Sequence, residues 1–208
     1  MTQTGQKRDQ RREATRRLIL DAATELAAAE GWPGVTMRKV ADRVNYSHPA
    51  LYAYFATKED LLLALLHEGL ALYTAALRAA ADAAKTPEDA VLALARVLWE
   101  FPWQHQELYQ VMHGLGGVAF ANAETRAEGR ASVAPAVAAV GSLLARHGYD
   151  PADAERLCVT FWCTMHGLVS LTMAGRFTRE EGAALAAAAA QDALATWTSP
   201  PRAAWGEP

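Results

Sequence analysis

Cysteine is nearly absent. Cys158 and Cys163 are the two in 208 residues, and five positions apart on what reads as one helix their side chains diverge too far for a disulfide. No C-x-x-C pair or His/Cys cluster accompanies them, so a metal scaffold is excluded and both read as buried structural thiols. β-Branched residues are sparse, which argues against a sheet protein. The first residues carry no apolar stretch ahead of their charges, so no export signal is read and the expected location is the cytoplasm. A charge excess is lacking too: 20 Lys+Arg against 23 Asp+Glu leave a net charge of −3, which by itself announces no nucleic-acid partner. One stretch, Leu157 to Gly175, has no Asp, Glu, Lys or Arg and is long enough to span a bilayer. Thr160, Thr164, His166, Ser170 and Thr172 interrupt it, and it reads as a helix buried on both sides within a soluble protein, with no membrane partner.

What the chain has is alanine, the strongest helix former, and 51% hydrophobic residues; the fold class read from this is all-α. The charge is also unevenly placed. Residues 1–60 hold ten Lys/Arg against eight Asp/Glu, whereas residues 61–208 hold ten against fifteen. Lys7, Arg8, Arg11, Arg12, Arg16 and Arg17 face only Asp9 and Glu13 at the leading edge. Residues 1–12 therefore read as a basic flexible arm, suited either to keeping the chain soluble or to touching phosphates.

About nine helices are expected. The first runs from Glu13 to Glu30 and is stopped by Gly31 and the Trp32-Pro33-Gly34 turn. Thr36 caps a second, through Val44. Asn45 makes the turn, and Ser47 caps a third, Pro49 to Phe55. Thr57 and Asp60 open a long fourth helix to Ala84, and Thr86-Pro87-Glu88-Asp89 opens a fifth that ends near Phe101-Pro102. A sixth covers Trp103 to His113, a seventh Ala121 to His147, an eighth continues from Asp150 to Gly175, and a ninth from Thr178 to Trp197. The expected domains are a head over 13–60, a body over 61–198 and a flexible tail over 199–208.

Enzyme signatures are missing from the sequence: no phosphate loop, no H-E-x-x-H, no nucleophile elbow, and no paired carboxylate and histidine at helical spacing. No cofactor and no metal are expected, and the chain reads as a non-enzyme. The informative segment is Thr36 to Lys58. Two short helices joined by a tight turn form a helix-turn-helix, whose second helix enters the major groove. Arg38 and Lys39 open the positioning helix, Ser47 and His48 open the recognition helix, and Tyr52 and Tyr54 follow on it. Hydroxyls and cations of this kind hold phosphates, and polar groups at the leading turn reach base edges.

The run from Thr15-Arg16-Arg17-x-Ile19-Leu20-Asp21-Ala22-Ala23 through Thr36-Met37-Arg38-x-Val40-Ala41, Ser47-x-x-Ala50-Leu51-Tyr52-x-Tyr54-Phe55 and Lys58-Glu59-x-Leu61-Leu62 resembles the DNA-binding head of the tetracycline-repressor (TetR) family. The resemblance implies that Thr36 and Arg38 hold the DNA backbone, that Ser47, His48 and Ala50 face the groove, and that Tyr52, Tyr54 and Lys58 grip phosphates. Lys39 and Pro49 complete the expected DNA-contact set. The sequence departs from the family pattern at Asn45, where glycine is usual, and at His48-Pro49.

In the body, Phe161-Trp162-x-x-x-His166-Gly167 resembles a Trp-x-x-x-His-Gly signature of one TetR subgroup. Leu157, Phe161, Leu168 and Thr172 form one stripe of that helix, and Cys158, Trp162, His166, Val169 and Met173 form another, so the helix needs two covering surfaces. The resemblance implies pairing of the last two helices from two chains, with Cys158, Val169, Met173, Leu185, Ala189 and Leu194 as the expected interface. An effector cavity is expected among Trp99, Phe101, Trp103, His105, Tyr109, Met112, His113, Phe120, Phe161, Trp162, Met165 and His166, which suits a mainly apolar small molecule. The reading is a homodimeric, ligand-responsive repressor of a palindromic double-stranded operator. A helical enzyme or small-molecule carrier with such a head is the competing class.

Overall fold

Local chemistry accounts for the helix boundaries in the computed structural model, which describes residues 3–116 and 123–199. Helix α1 (Gln3–Glu30) starts ten residues earlier than its apolar pattern does, so the expected flexible arm is helical from Gln3 onward. Gly31, at φ 74°, ends it, and a single 3-10 turn at Trp32–Gly34 follows. Thr36 caps α2 (Met37–Arg43) by accepting from the Lys39 N–H. Ser47 caps α3 (His48–Tyr52) by accepting from the Ala50 N–H. Thr57 and Asp60 exchange two 3.0 Å hydrogen bonds at the start of α4 (Lys58–Ala83), a reciprocal capping box.

Helix α5 (Pro87–Gln104) runs two residues past Pro102. A proline near a helix end forfeits few backbone bonds, and Phe101 and Pro102 are both buried. Helix α6 (Gln106–His113) closes on Gly114 in the left-handed conformation. The expected seventh helix is two: α7 (Ala123–Ser132) and α8 (Ala134–Arg146), broken at Val133 just before Pro135, which supplies no N–H and suits a first turn. Helix α9 (Ala154–Met173) follows a 3-10 turn capped by Asp150, and α10 (Arg179–Thr198) opens with a full capping box between Thr178 and Glu181. Ten α-helices and no strand occur among the described residues.

The chain divides into two compact units. The first comprises Met1–Ala71 with His105–Thr125, and the second Leu72–Gln104 with Arg126–Pro208. The expected boundary near Asp60 thus lies too early. Leu61, Leu62, Leu65, Leu66 and Leu70 of α4 carry the head's core on past it, and Leu108 and Val111 of α6 join the same cluster. Trp32 ties α6 in: its Nε1–H donates to the Glu107 carbonyl at 3.2 Å, while Lys58 Nζ donates to the Trp32 carbonyl at 2.9 Å. In the second unit α5, α8, α9 and α10 pack on one another around Val91, Val140, Leu143, Leu144, Ala154 and Trp197.

Of the described helices, α4 is the one long and apolar enough to cross a membrane, not the Leu157–Gly175 stretch singled out from sequence. The leucines responsible are those of the head's core.

Two glycines report on packing in the second unit. A Cβ on Gly182 would lie 2.5 Å from both the Thr172 hydroxyl and a Trp99 ring carbon, whereas one on Gly129 would meet nothing within 4 Å. Gly182→Ala is expected to cost about 1–3 kcal/mol by overpacking. Gly129→Ala is expected to stabilise by about 0.5–1 kcal/mol through helix propensity. Equal melting temperatures for the two variants would overturn this view of the α9–α10 crossing.

Candidate nucleic-acid interface

The head's surface is organised by what it buries. Met37, Val40 and Ala41 of α2 and Leu51 of α3 point into the core with Ile19, Phe55 and Leu61. This leaves Thr36, Arg38, Lys39, Ser47, His48, Pro49 and Tyr52 exposed on the opposite side, with Ala50, Tyr54 and Lys58 half-buried. The turn between α2 and α3 is held by Asn45 at φ 55°, the one non-glycine residue with positive φ among the described residues. Asn accepts that conformation more readily than other side chains, so Asn45 makes the expected turn where the family usually has glycine. The Tyr46 N–H closes the turn on the Ala41 carbonyl at 3.0 Å.

The ten candidate DNA residues therefore lie on one continuous segment, but they are not equally available. Tyr52 is 44% exposed, its ring edge-on to His48 with centroids 4.9 Å apart. Tyr54 packs edge-on to Tyr46. Arg38 makes no side-chain contact to a charged partner among the described residues. Lys39 is held by the Glu30 carboxylate and the Gly34 carbonyl, and Lys58 by the Trp32 carbonyl. Thr36 and Ser47 spend a lone pair on capping and keep their hydroxyl hydrogens for an acceptor.

Cations elsewhere in the head are mostly committed. Arg43 pairs with Glu25 at 2.6 Å, and Arg17 bridges Asp21 and Glu68 at 2.6 Å each. Those two carboxylates hold the Arg17 pKa above its ordinary value. Arg16 lies 4.4 Å above the Phe55 ring and donates to the Tyr54 carbonyl. The sequence reading passed over Tyr46, whose hydroxyl stands 3.5 Å from Thr15 Oγ1 and joins the start of the head to its turn. An aromatic residue in a three-residue turn is the signal that could have found it.

The body candidates separate between the two units. His105, Tyr109, Met112 and His113 belong to the first, where Tyr109 is buried and stacks edge-on to His113 at 4.3 Å. Trp99, Phe101, Trp103, Phe161, Trp162, Met165 and His166 belong to the second. Phe120 lies outside the described residues. Phe101 and Met165 are buried core residues, and Phe101 packs on Tyr73. Trp99 and Trp103 face each other at 5.4 Å, Phe161 packs on Trp197, and Trp162 stacks on His166. A cleft of about 590 Å³ lies instead at the α4–α5 connection against α8, lined by residues such as Arg78, Lys85, Pro87 and Ser142. None of the candidates lines it.

The expected interface residues need correction. Val169 has no exposed surface within the single chain, so it has none to lose to a partner. Cys158 and Leu194 turn toward their own bundle's core. Met173 and Ala189 are half-buried, and Leu185 is exposed. The outward apolar residues of α9 are Val159 and Leu171, about half exposed. Cys163 is exposed rather than buried, while burial pushes the Cys158 thiol up to about 11.

The bacterial regulatory proteins, tetR family, match residues 19–65, and the tetracyclin repressor-like C-terminal domain family matches residues 91–196. The second match alone covers half of the chain. This chain belongs to the TetR family. An uncharacterized HTH-type transcriptional regulator of Mycobacterium tuberculosis is 29% identical over 164 residues, 77% of this chain and 71% of that protein. The HTH-type transcriptional repressor NicS of Pseudomonas putida is 26% identical over 105 residues, half of each chain. The fold is that of a TetR family transcription regulator from Marinobacter aquaeolei, with 23% identity and a TM-score of 0.68 over 89% of this chain and 97% of that one. This TetR-family protein is a DNA-binding transcriptional regulator and not an enzyme.

Within the regulator's second unit, burial lowers the His166 pKa from its ordinary 6.5. The unfolded chain takes up that proton near pH 6.5 and the folded chain only at lower pH, so His166 makes stability decline as pH falls below about 6.5. His166→Gln is expected to flatten the pH dependence of the denaturation midpoint between pH 5 and 7. An unchanged profile would place the imidazole in water.

Proposed function

We propose that this regulator is a cytoplasmic repressor that binds a palindromic operator as a homodimer and releases it when a mainly apolar small molecule occupies the C-terminal domain. The exposed side of α2, the turn and α3 carries the reading: Met37, Val40, Ala41 and Leu51 are turned inward, and hydroxyls, an imidazole and a free arginine are left outward. Ser47, His48, Pro49 and Ala50 face base edges, and Thr36, Arg38, Tyr52 and Tyr54 hold the backbone. Lys39 reaches phosphates by exchanging its present partners, which for an exposed pair costs little, and Lys58 by releasing the Trp32 carbonyl. Two heads set about 34–36 Å apart meet successive major grooves on one side of the duplex.

Repression rather than activation is supported by the name of the Pseudomonas relative. The effector is assigned to the aromatic groups of the second unit, Trp99–Trp103 and Trp162–His166, and a coupling of about 1–3 kcal/mol between sites would weaken operator binding 5–150-fold. Pairing of chains is assigned to the outward face with Val159, Leu171 and Leu185, since two large apolar residues on α9 and one on α10 stand half exposed there.

Selection of DNA from a random duplex pool by the full-length protein, followed by salt titration, tests the reading; recovery of no enriched palindrome would overturn it. Tyr52→Phe keeps the ring against His48 and removes the hydroxyl. Its expected melting temperature is unchanged and its affinity falls by about 0.5–1.5 kcal/mol, roughly two- to twelvefold, by a similar amount across sequences. Unaltered affinity would remove Tyr52 from the contact set. Leu185→Glu is expected to yield monomers in sedimentation at micromolar concentration, and an intact dimer would place the interface elsewhere.

A further inference from the structure

The basic segment ahead of the head is a rigid continuation of α1. Eleven residues make three helical turns to within about 20°, so Arg8, Arg11 and Arg12 lie on the lines of the helix surface occupied by Ile19, Ala22 and Ala23. Those three are buried in the head's core. One face of a single helix therefore changes from apolar to basic between residues 12 and 19. Glu13 follows Arg12 by one position, about 100° round the helix, while Asp9 stands three residues before Arg12, about 60° from it, and no ion pair joins the two among the described residues.

The same face meets the helix-turn-helix where the two chemistries join. Thr15 touches the Tyr46 hydroxyl, directly before the cap of α3, and Arg16 donates to the Tyr54 carbonyl, directly after α3. Arg11 and Arg12 stand one turn N-terminal to these two residues, and Arg8 two turns N-terminal to Arg16, about 5 and 11 Å further along the axis. All three are exposed, and they have no ion pair among the described residues. Arg17 and Arg43, by contrast, are committed to carboxylates inside the head. Arg8 is an i,i+3 neighbour of Arg11 and an i,i+4 neighbour of Arg12, like-charge spacings that are unfavourable in the free chain, and a polyanion beside α3 removes that cost.

We propose that the first three turns of α1 are a second DNA-contact element, in which Arg8, Arg11 and Arg12 hold phosphates of the duplex flanking the half-site read by α3. The proposal rests on the reading that the head binds duplex DNA. A duplex carries one phosphate charge per about 1.7 Å of its axis, so three guanidiniums whose backbone positions span about 6 Å of the helix axis find partners without requiring any base sequence. The element adds affinity and on-rate and leaves specificity to α3.

The test compares the full-length protein with Arg8→Gln/Arg11→Gln/Arg12→Gln, which keeps helix propensity and disturbs no contact of the head. The probes are the duplex selected by the wild-type protein, trimmed to its palindrome, and the same duplex lengthened by a flank of mixed sequence on each side. The wild-type protein is expected to bind the lengthened duplex more tightly and the triple variant to bind both alike. The slope of log K against log salt should fall by about 2.7 per head, three contacts at about 0.9 each. Base preference at every operator position and the melting temperature should stay unchanged. Equal slopes for the two proteins, or a flank effect that survives in the variant, would overturn the proposal while leaving α3 as the reading element. Failure of the wild-type protein to bind either duplex would overturn both readings.

Discussion

Everything the head presents depends on two apolar anchors four residues apart. Leu51 and Phe55 are fully buried, and they bracket the end of a five-residue helix that has no stability of its own. A fully buried side chain of this size is worth about 1.5–3 kcal/mol, so the pair supplies what the backbone hydrogen bonds of so short a helix do not. Ser47 fixes where the helix begins, Pro49 stiffens its first turn, and Leu51 and Phe55 fix which side faces the core. His48, Tyr52 and the hydroxyl of Ser47 are outward as a consequence of that anchoring. A surface meant to read a groove is thus defined by residues that never touch it.

How legible this was in the sequence followed the range of the interactions involved. The caps at Thr36, Ser47, Thr57 and Thr178 are encoded within three residues of themselves, and each reading matches the structure. The helix-turn-helix is a sum of such local signals, which is why its helix starts and its core were readable, although α3 ends at Tyr52 and not at the expected Phe55. The membership of α6 in the head was not: it depends on an indole hydrogen bond over 75 positions and on Leu108 and Val111 entering a core begun by α1. Nor was the break at Val133 anticipated, because an alanine-rich run reads as one helix unless Pro135 is taken as a start signal for a new one.

Helix α9 illustrates a different limit. It carries apolar residues on nearly every side, so periodicity alone leaves the choice of outward stripe open. Val169 and Cys158 read as outward because they share a line with Trp162 and Met173. In the structure that line turns inward, and Val159, about a sixth of a turn away, and Leu171, about half a turn away, are left exposed. Packing against α5, α8 and α10 decides the rotation of the helix, and no residue within α9 itself records it. The aromatic candidates behave in the same way. Phe101, Met165 and Trp99 are buried as core, and Trp103, Trp162 and His166 are half-buried.

Charge completes the argument. A net charge of −3 suggests indifference to nucleic acid, and dividing the chain shows a basic leading segment. The structure adds a further division that no count contains. Within the head, Arg16, Arg17, Lys39, Arg43 and Lys58 each serve an internal partner, so much of the positive charge near α3 is already used in holding the fold. The uncommitted arginines are Arg38 at the start of α2 and the three that α1 carries beyond the core. Exposed ion pairs are worth little and exchange readily, whereas guanidiniums without partners gain the whole benefit of counterion release when a phosphate arrives. On the proposed reading, the electrostatic component of DNA binding belongs mainly to the ends of the head, where α1 and α2 begin, and the middle is left to hydroxyls and an imidazole suited to distinguishing one base edge from another.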